Sequence, residues 1–259
     1  MRNFQAPGRS LVLSQTGMAA TSHPLASQVA VRVLQDGGNA VDAALAAAAL
    51  LPLCEPHMCG LGGDCFVLIR PADGGLAIGL NASGRAPAGL SGADLRAAGF
   101  AEMSAMEAHS VTVPGAVAGF VKLSQDHGRM SLADAWAPAT HYARAGVPVA
   151  PRVALDWQDK VDRLQGIARD HYLHNGAAYG QGDVFKAPGQ AELLAQIAAG
   201  GHDAFYKGPV AEDMVQALQA AGGTHTLADF ASQTADYVEP ISGTYRGHKL
   251  TELPPNGQG

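Results

Sequence analysis

Charge is scarce in this chain. Only 15% of its 259 residues are charged, while 47% are hydrophobic. That balance excludes a disordered polypeptide, which needs high charge and little apolar matter to stay open. Lysine and arginine occur as scattered singles and the formal net charge is −6. Nucleic acid and anionic membrane surfaces are therefore not expected partners. Cysteine is rare as well: Cys54, Cys59 and Cys65 lie in one short stretch. An odd count is poor material for a disulfide framework and predicts a reducing, cytoplasmic setting. The first ten residues, MRNFQAPGRS, lack the apolar core of a secretory signal. The longest apolar run, Ala43 to Cys54, is too short to span a bilayer. Neither GxSxG nor HExxH occurs, so no serine-hydrolase elbow or zincin helix announces itself.

What the chain does have is glycine, apolar runs and helix punctuation. Ser10 to Ser14 (SLVLS) reads as a short first strand. TSHPLASQVAVRVLQDGG, Thr21 to Gly38, reads as a helix capped by Thr21 or Ser22, with Pro24 in its first turn and Gly37 and Gly38 ending it. Asn39 and Asp42 then predict the capped start of a second helix, apolar on every face from Ala43 to Leu53 and hence buried all round. Cys65–Arg70 and Leu76–Leu80 read as a hairpin across PADGG. Neither strand alternates apolar with polar, which predicts a sheet covered on both faces. Ser110–Val113 reads as a third strand, leading through Pro114 into a helix that Gly128 can end.

From Ser131 the texture is helical. The cap-like starts SLAD and TLAD, at Ser131 and Thr226, accompany helices expected near 132–145, 150–165, 189–199 and 209–221. A closing hairpin is expected at Tyr237–Tyr245 and His248–Leu253. The organisation is thus core elements over 1–130, a helical lobe over 131–235 and returning strands over 236–259. The chain closes on LTELPPNGQG, which reads as the lead-in to a further element.

Three stretches can carry chemistry. In EPHMCGLGGDC, Glu55 to Cys65, glycine N–H groups can meet an anion, Cys54, His57, Cys59 and Cys65 can bind zinc, or a cysteine can act as nucleophile with His57. Against these stand the missing GxGxxG, the missing CxxC knuckle, and a His57–Cys59 spacing too short for a base to reach the thiol. A tight connection from a buried helix to a strand explains the same residues, with glycine where a Cβ would clash; glycines lining a pocket are the competing reading. His171 and His174 are spaced like a metal pair but lack companion ligands, so a surface or helix-end position is expected. In NASGRAP, Asn81 to Pro87, Arg85 follows a buried strand and is placed either to fork onto a carboxylate or to satisfy loop carbonyls. No metal or cofactor is expected.

Several segments, taken in order, resemble the γ-glutamyltranspeptidase family: HPLASQ from His23, LQDGGNAVDAA from Leu34, EPHMCGLGG from Glu55, VPGAVAG from Val113, FYKGPVA from Phe205, VEPISGTYRG from Val238 and the final PPNGQG. The resemblance covers nearly the whole chain. It implies an α/β (α+β) fold, the αββα sandwich of N-terminal-nucleophile hydrolases, incomplete here. It also implies a precursor that cleaves itself and exposes a nucleophilic threonine beyond Gly259. The implied activity is cleavage of γ-glutamyl amides such as glutathione, by hydrolysis or transfer through an acyl-threonine. The implied partners are that γ-glutamyl small molecule and the protein's own small subunit, and residues 1–259 alone are expected to be inactive.

The sequence departs from the family's DxRExAP pattern. Aligned on Ala86 and Pro87, Ser83 stands at the arginine position and Gly84 at the glutamate position, with Arg85 two residues on. In an extended loop that offset moves a side chain about 6–7 Å along the same face. Arg85, with Ser83, is accordingly the expected substrate-binding pair. His57-Met58-Cys59 replaces a more usual His-Ser-Ser, and Asp64 replaces a glycine. Two alternatives follow: an acylase-like amidohydrolase whose donor lacks the α-carboxylate, and a binding domain that kept the fold without the chemistry.

Overall fold

The computed structural model describes residues 11–257. Leu11–Ser14 form no strand, and Ser10 lies outside the described residues, as does the N-terminal stretch discussed above. The first helix, α1 (Pro24–Gln35), is capped by His23, whose Nδ1 accepts the Leu25 N–H at 3.2 Å. Thr21 and Ser22 are not the cap. Pro24 drives the residue before it into extended backbone, and His23 has that conformation (φ −120, ψ 130). Thr21 instead donates to the His23 carbonyl at 2.7 Å, and Ser22 donates to Glu55. Gly37, at φ +100, turns the chain out of the helix.

Helix α2 (Ala40–Cys54) carries the expected capping box. Asn39 Oδ1 accepts from Val41 and Asp42, and Asp42 returns a bond to the Asn39 N–H at 2.8 Å. Asp42 is 1% exposed, and its carboxylate also accepts the Arg129 and Met130 N–H groups, so the start of α2 is tied to a loop 87 residues away.

Strand β1 (Cys65–Ile69) pairs antiparallel with β2 (Ile78–Ala82) in the register Val67↔Leu80. Helix α3 (Gly92–Ala97) and a 3-10 turn (Ala108–Ser110) follow. The expected strand at 110–113 does not form. Val113 makes a single bond, to the Arg85 carbonyl at 2.9 Å, and Pro114 has no N–H with which to continue a ladder. Helix α4 (Ala116–His127) packs on β1 and β2. Gly119 permits that approach: a Cβ there would lie 2.7 Å from Ala82 Cβ.

Helix α5 (Leu132–Ala145), capped by Ser131, packs against α2, where Trp136 donates its indole N–H to the Leu45 carbonyl at 3.1 Å. Next come β3 (Val147–Pro148), α6 (Pro151–Gln158), α7 (Ile167–Tyr172) and β4 (Val184–Phe185), which pairs with β3. Helix α6 is shorter than the expected 150–165. After the buried Trp157, Gln158 and Asp159 offer nothing apolar to bury, and the chain passes into a 3-10 turn at Val161–Arg163. Helices α8 (Pro188–Gly200), α9 (Asp203–Tyr206), α10 (Pro209–Ala220) and α11 (Leu227–Ala231) complete the helical part, with α8 against α5. One contiguous apolar core runs from α1 to Ala235.

The closing strands differ from the expected hairpin. Pro240 divides the first arm. Strand β5 (Asp236–Val238) joins the far side of β2, and β6 (Ile241–Tyr245) pairs instead with β7 (His248–Glu252). The principal sheet is therefore three-stranded, in the order β1-β2-β5. It is covered on one face, not two. Cys65, Val67, Leu80 and Ala82 face α4 and the core, while Phe66 and Leu68 remain 42% and 44% exposed. Residues after β7 cross this outer face: Leu253 lies where a Gly79 Cβ would be, and Gly257 approaches the Phe66 ring.

Candidate substrate cleft

A cleft of about 270 Å³ opens at one end of the outer sheet face. Asn81, Ser83, Gly84 and Arg85 line it from the end of β2, Thr234, Asp236 and Val238 from β5, and Asn256 from the segment after β7. A larger groove of about 680 Å³ lies between α5 and α8; alanines form most of its wall, and Thr140, His141 and Arg144 are its polar lining.

The chain turns out of β2 because Asn81 Oδ1 accepts the Ser83 N–H at 2.9 Å, a side chain replacing the next ladder bond. Gly84 then donates its N–H to Asp64 Oδ1 at 2.9 Å. Here the glycine at position 84, one of the departures from the family pattern, acquires a physical reason. A Cβ on Gly84 would stand 1.7 Å from the Val113 carbonyl oxygen, and one on Gly115 would stand 2.2 Å from that of Ala82. Segments 82–85 and 112–115 lie backbone against backbone, so no side chain fits at position 84. The first long side chain free of that contact is Arg85.

Arg85 reaches Asp236 with Nη2 to Oδ2 at 3.4 Å, both side chains being mostly exposed. The Ser83 hydroxyl is bonded in both directions to Asn256: it donates to Oδ1 at 3.1 Å and accepts from Nδ2 at 2.9 Å. Asn81 Nδ2 donates to the same Asn256 oxygen at 2.8 Å. Beneath the cleft, Gln233 is 2% exposed and donates to the Ser83 carbonyl at 3.3 Å and the Thr234 carbonyl at 2.8 Å, joining the two rims. His202 Nε2 faces the Gln233 carbonyl at 2.8 Å, so that nitrogen carries the proton.

Both sequence-predicted residues, Ser83 and Arg85, thus line one cleft. Asp236, Thr234 and Gln233 went unnoticed in the sequence because they arrive from more than 140 residues away. Asn81 and Asn256 were visible only as parts of NASGRAP and PPNGQG.

The Glu55–Cys65 stretch has another role. The Gly63 carbonyl accepts the Gly115 and Ala116 N–H groups at 3.0 and 2.9 Å, so the loop presents an acceptor to the start of α4, and none of its glycines lines the cleft. The structure favours the tight connection. Burial and the nearby Glu55 push the Cys59 thiol up, and burial first, then neighbouring carboxylates, pushes Cys54 and Cys65 up to about 12. These are the reverse of nucleophile settings. The His57 side chain is 5% exposed and pairs through Nε2 with Asp156 at 3.4 Å. Among the described residues, no three His, Cys, Asp or Glu side chains gather as a metal-holding group. His171 lies in the last turn of α7 and packs on Tyr172 and Phe185, and burial lowers its pKa; His174 faces Tyr179.

An antiparallel sheet backed by helices on one face, with a cleft on the other, is one half of the αββα sandwich of the N-terminal-nucleophile hydrolases. The closely superposing structure of cephalosporin acylase from Bacillus halodurans has that fold (TM-score 0.90, 36% identity, 98% of this chain and 49% of that one). The model of the γ-glutamyltranspeptidase family matches residues 26–259, and the chain belongs to that family. Among its relatives, the glutathione hydrolase-like YwrD proenzyme of Bacillus subtilis is 34% identical over 96% of this chain and 47% of its own length. The oxamate amidohydrolase proenzyme of Klebsiella pneumoniae is 36% identical, over 95% and 48%. The chain spans about half the length of these curated relatives.

Proposed function

We propose that the full-length protein cleaves γ-glutamyl amides such as glutathione, passing the acyl group through a threonine ester to water or to an amino acid. The reading rests on the family and on one observation: Arg85 lines a polar cleft at the end of β2, where an exposed guanidinium can turn from Asp236 to a donor carboxylate. The threonine and its α-amine base belong to the small subunit, which we take to be the chain's principal partner. The open face at Phe66 and Leu68 supports that partnership, since exposed apolar sheet surface favours a cover. The test is kinetic. Arg85→Ala in the full-length protein should lower kcat/KM for a γ-glutamyl anilide by about tenfold or more, chiefly through KM. An unchanged kcat/KM removes Arg85 from the site.

A second reading keeps the fold and changes the donor to an acyl amide without an α-carboxylate. It is favoured by the engagement of Arg85 with Asp236, a carboxylate the protein itself supplies. Turnover of such an amide, with none of γ-glutamyl anilides, selects it.

A further inference from the structure

The Asn81–Ser83–Asn256 cluster has a definite polarity. The Ser83 backbone N–H can only donate, so the Asn81 side-chain atom it meets at 2.9 Å is the oxygen. The other end of Asn81 is therefore the NH₂ group. The Asn256 atom it meets at 2.8 Å must then accept, which makes that atom Oδ1. It follows that Asn256 Nδ2 faces the Ser83 oxygen, which accepts from it at 2.9 Å, while the hydroxyl hydrogen goes to Asn256 Oδ1 at 3.1 Å. One backbone N–H thus sets the orientation of two carboxamides, with the serine hydroxyl as the pin between them.

The bonding capacity that remains is one-sided. Asn256 Oδ1 accepts two bonds, Asn81 Oδ1 is held by the backbone, and the Ser83 hydroxyl both donates and accepts. Each carboxamide keeps a second N–H without a partner among the described residues, and both side chains line the cleft. Arg85 adds further N–H groups from the same wall; Asp236 is its ion-pair partner.

We infer that Asn81 and Asn256 are specificity-determining residues that donate N–H groups to a carboxylate of the acyl donor, with Ser83 as the residue that positions them. The inference deepens the reading above and rests on it for the identity of the donor. It also changes the part played by Ser83, whose hydroxyl aims the amides and does not itself meet the substrate. Two neutral amides beside one guanidinium replace the single arginine that Ser83 displaces, and they hold a carboxylate by directed hydrogen bonds with less reliance on net charge.

The experiment compares L-glutamate with L-isoglutamine, its α-carboxamide, as ligands of the full-length protein in calorimetry. Asn256→Asp preserves shape and replaces the free N–H with a carboxylate oxygen. It should weaken L-glutamate binding by about 10–100-fold, the loss expected for a hydrogen bond to a charged group, and leave L-isoglutamine within about twofold. Ser83→Ala should weaken L-glutamate by a smaller factor, with Ser83→Thr restoring it. Equal losses for the two ligands, or wild-type L-glutamate affinity in Asn256→Asp, overturn the inference. Selective loss of L-glutamate in a protein that cleaves no γ-glutamyl amide would leave the inference standing and remove the proposed activity. Cleavage of γ-glutamyl amides with the variant indifferent would do the opposite.

Discussion

The Tyr206 hydroxyl donates to the Pro114 carbonyl at 2.7 Å and accepts the Ala118 N–H at 3.0 Å, all three groups being buried. It serves as the missing cap of α4. Gly115 occupies the cap position and has no side chain to offer, so the first-turn N–H groups of α4 are satisfied from elsewhere: Ala116 by the Gly63 carbonyl, Ala118 by Tyr206. Burial raises the Tyr206 pKa, which keeps the hydroxyl neutral and able to donate. Tyr206→Phe keeps the ring and its stacking on His202 and strands both backbone groups. The expected cost is about 1–3 kcal/mol, seen as a lower denaturation midpoint of the full-length protein at unchanged m-value. A variant as stable as wild type would mean that Tyr206 does not cap α4.

Gly84 gives a sharper test of how the cleft is built. Its neighbours at the would-be Cβ are backbone atoms, the Val113 carbonyl at 1.7 Å and Val113 C at 2.8 Å, along with the Thr112 hydroxyl at 2.7 Å. Backbone cannot rotate aside as a long side chain does. Gly84→Ala must therefore part segments 82–85 and 112–115 and break the Val113 N–H to Arg85 carbonyl bond. We expect a loss of about 3 kcal/mol or more, at the upper end of overpacking costs, with Arg85 displaced and the KM for donor raised. Gly89→Ala is the control, since its nearest neighbour stands at 3.3 Å and the site is on the surface. If both variants behave alike, the close backbone approach is not what position 84 requires.

The legible and illegible parts of this chain divide by range. The α2 capping box, the Ser131 and Thr226 caps and the bounds of α5 and α10 follow from a few adjacent residues, and those residues act as their chemistry predicts. The family motifs were local as well. What was missed depended on partners far away. Strands β1 and β2 lack polar alternation, which suggested cover on both faces, yet Phe66 and Leu68 face outward. Apolar residues on the open side look the same in sequence whether their cover is present or not. Of the cleft, Ser83 and Arg85 were legible because they sit beside an alignable Ala-Pro pair. Gln233 was not, and Asn256 stood only inside the PPNGQG motif, because nothing near either residue in sequence indicates the loop it will reach.

Strand β5 is held to α4 by a surface cluster whose strength depends on pH. Tyr237 donates to Asp126 Oδ2 at 2.8 Å and accepts from His127 Nε2 at 2.9 Å, while Lys122 pairs with Asp126 at 3.1 Å and lies over the tyrosine ring at 4.8 Å. The Tyr237 hydrogen bond, followed by that of Lys122, holds the Asp126 carboxyl below its usual 3.8. Burial, reinforced by Asp126, holds the Tyr237 phenol above its usual 10.0. For the carboxyl, a depressed folded value means that the unfolded chain binds the proton first as pH falls. Its contribution is complete above the usual carboxylate range and is lost as pH drops through the lowered folded value. For the phenol, a raised folded value means a contribution complete below pH 10 and lost as pH climbs through the folded value. The stability difference between wild type and Tyr237→Phe should therefore be greatest on a plateau between about pH 5 and pH 9 and should shrink on both sides. Urea unfolding of the full-length protein across that range measures it directly. Because Asp126 and Tyr237 are half-buried at the surface, 38% and 41% exposed, solvent reaches the pair and raising the salt concentration should lower the plateau. A difference that stays constant from pH 3 to pH 10 would show that the hydroxyl acts only by packing, and that the link from β5 to α4, which holds the Asp236 wall of the cleft, carries no titratable component.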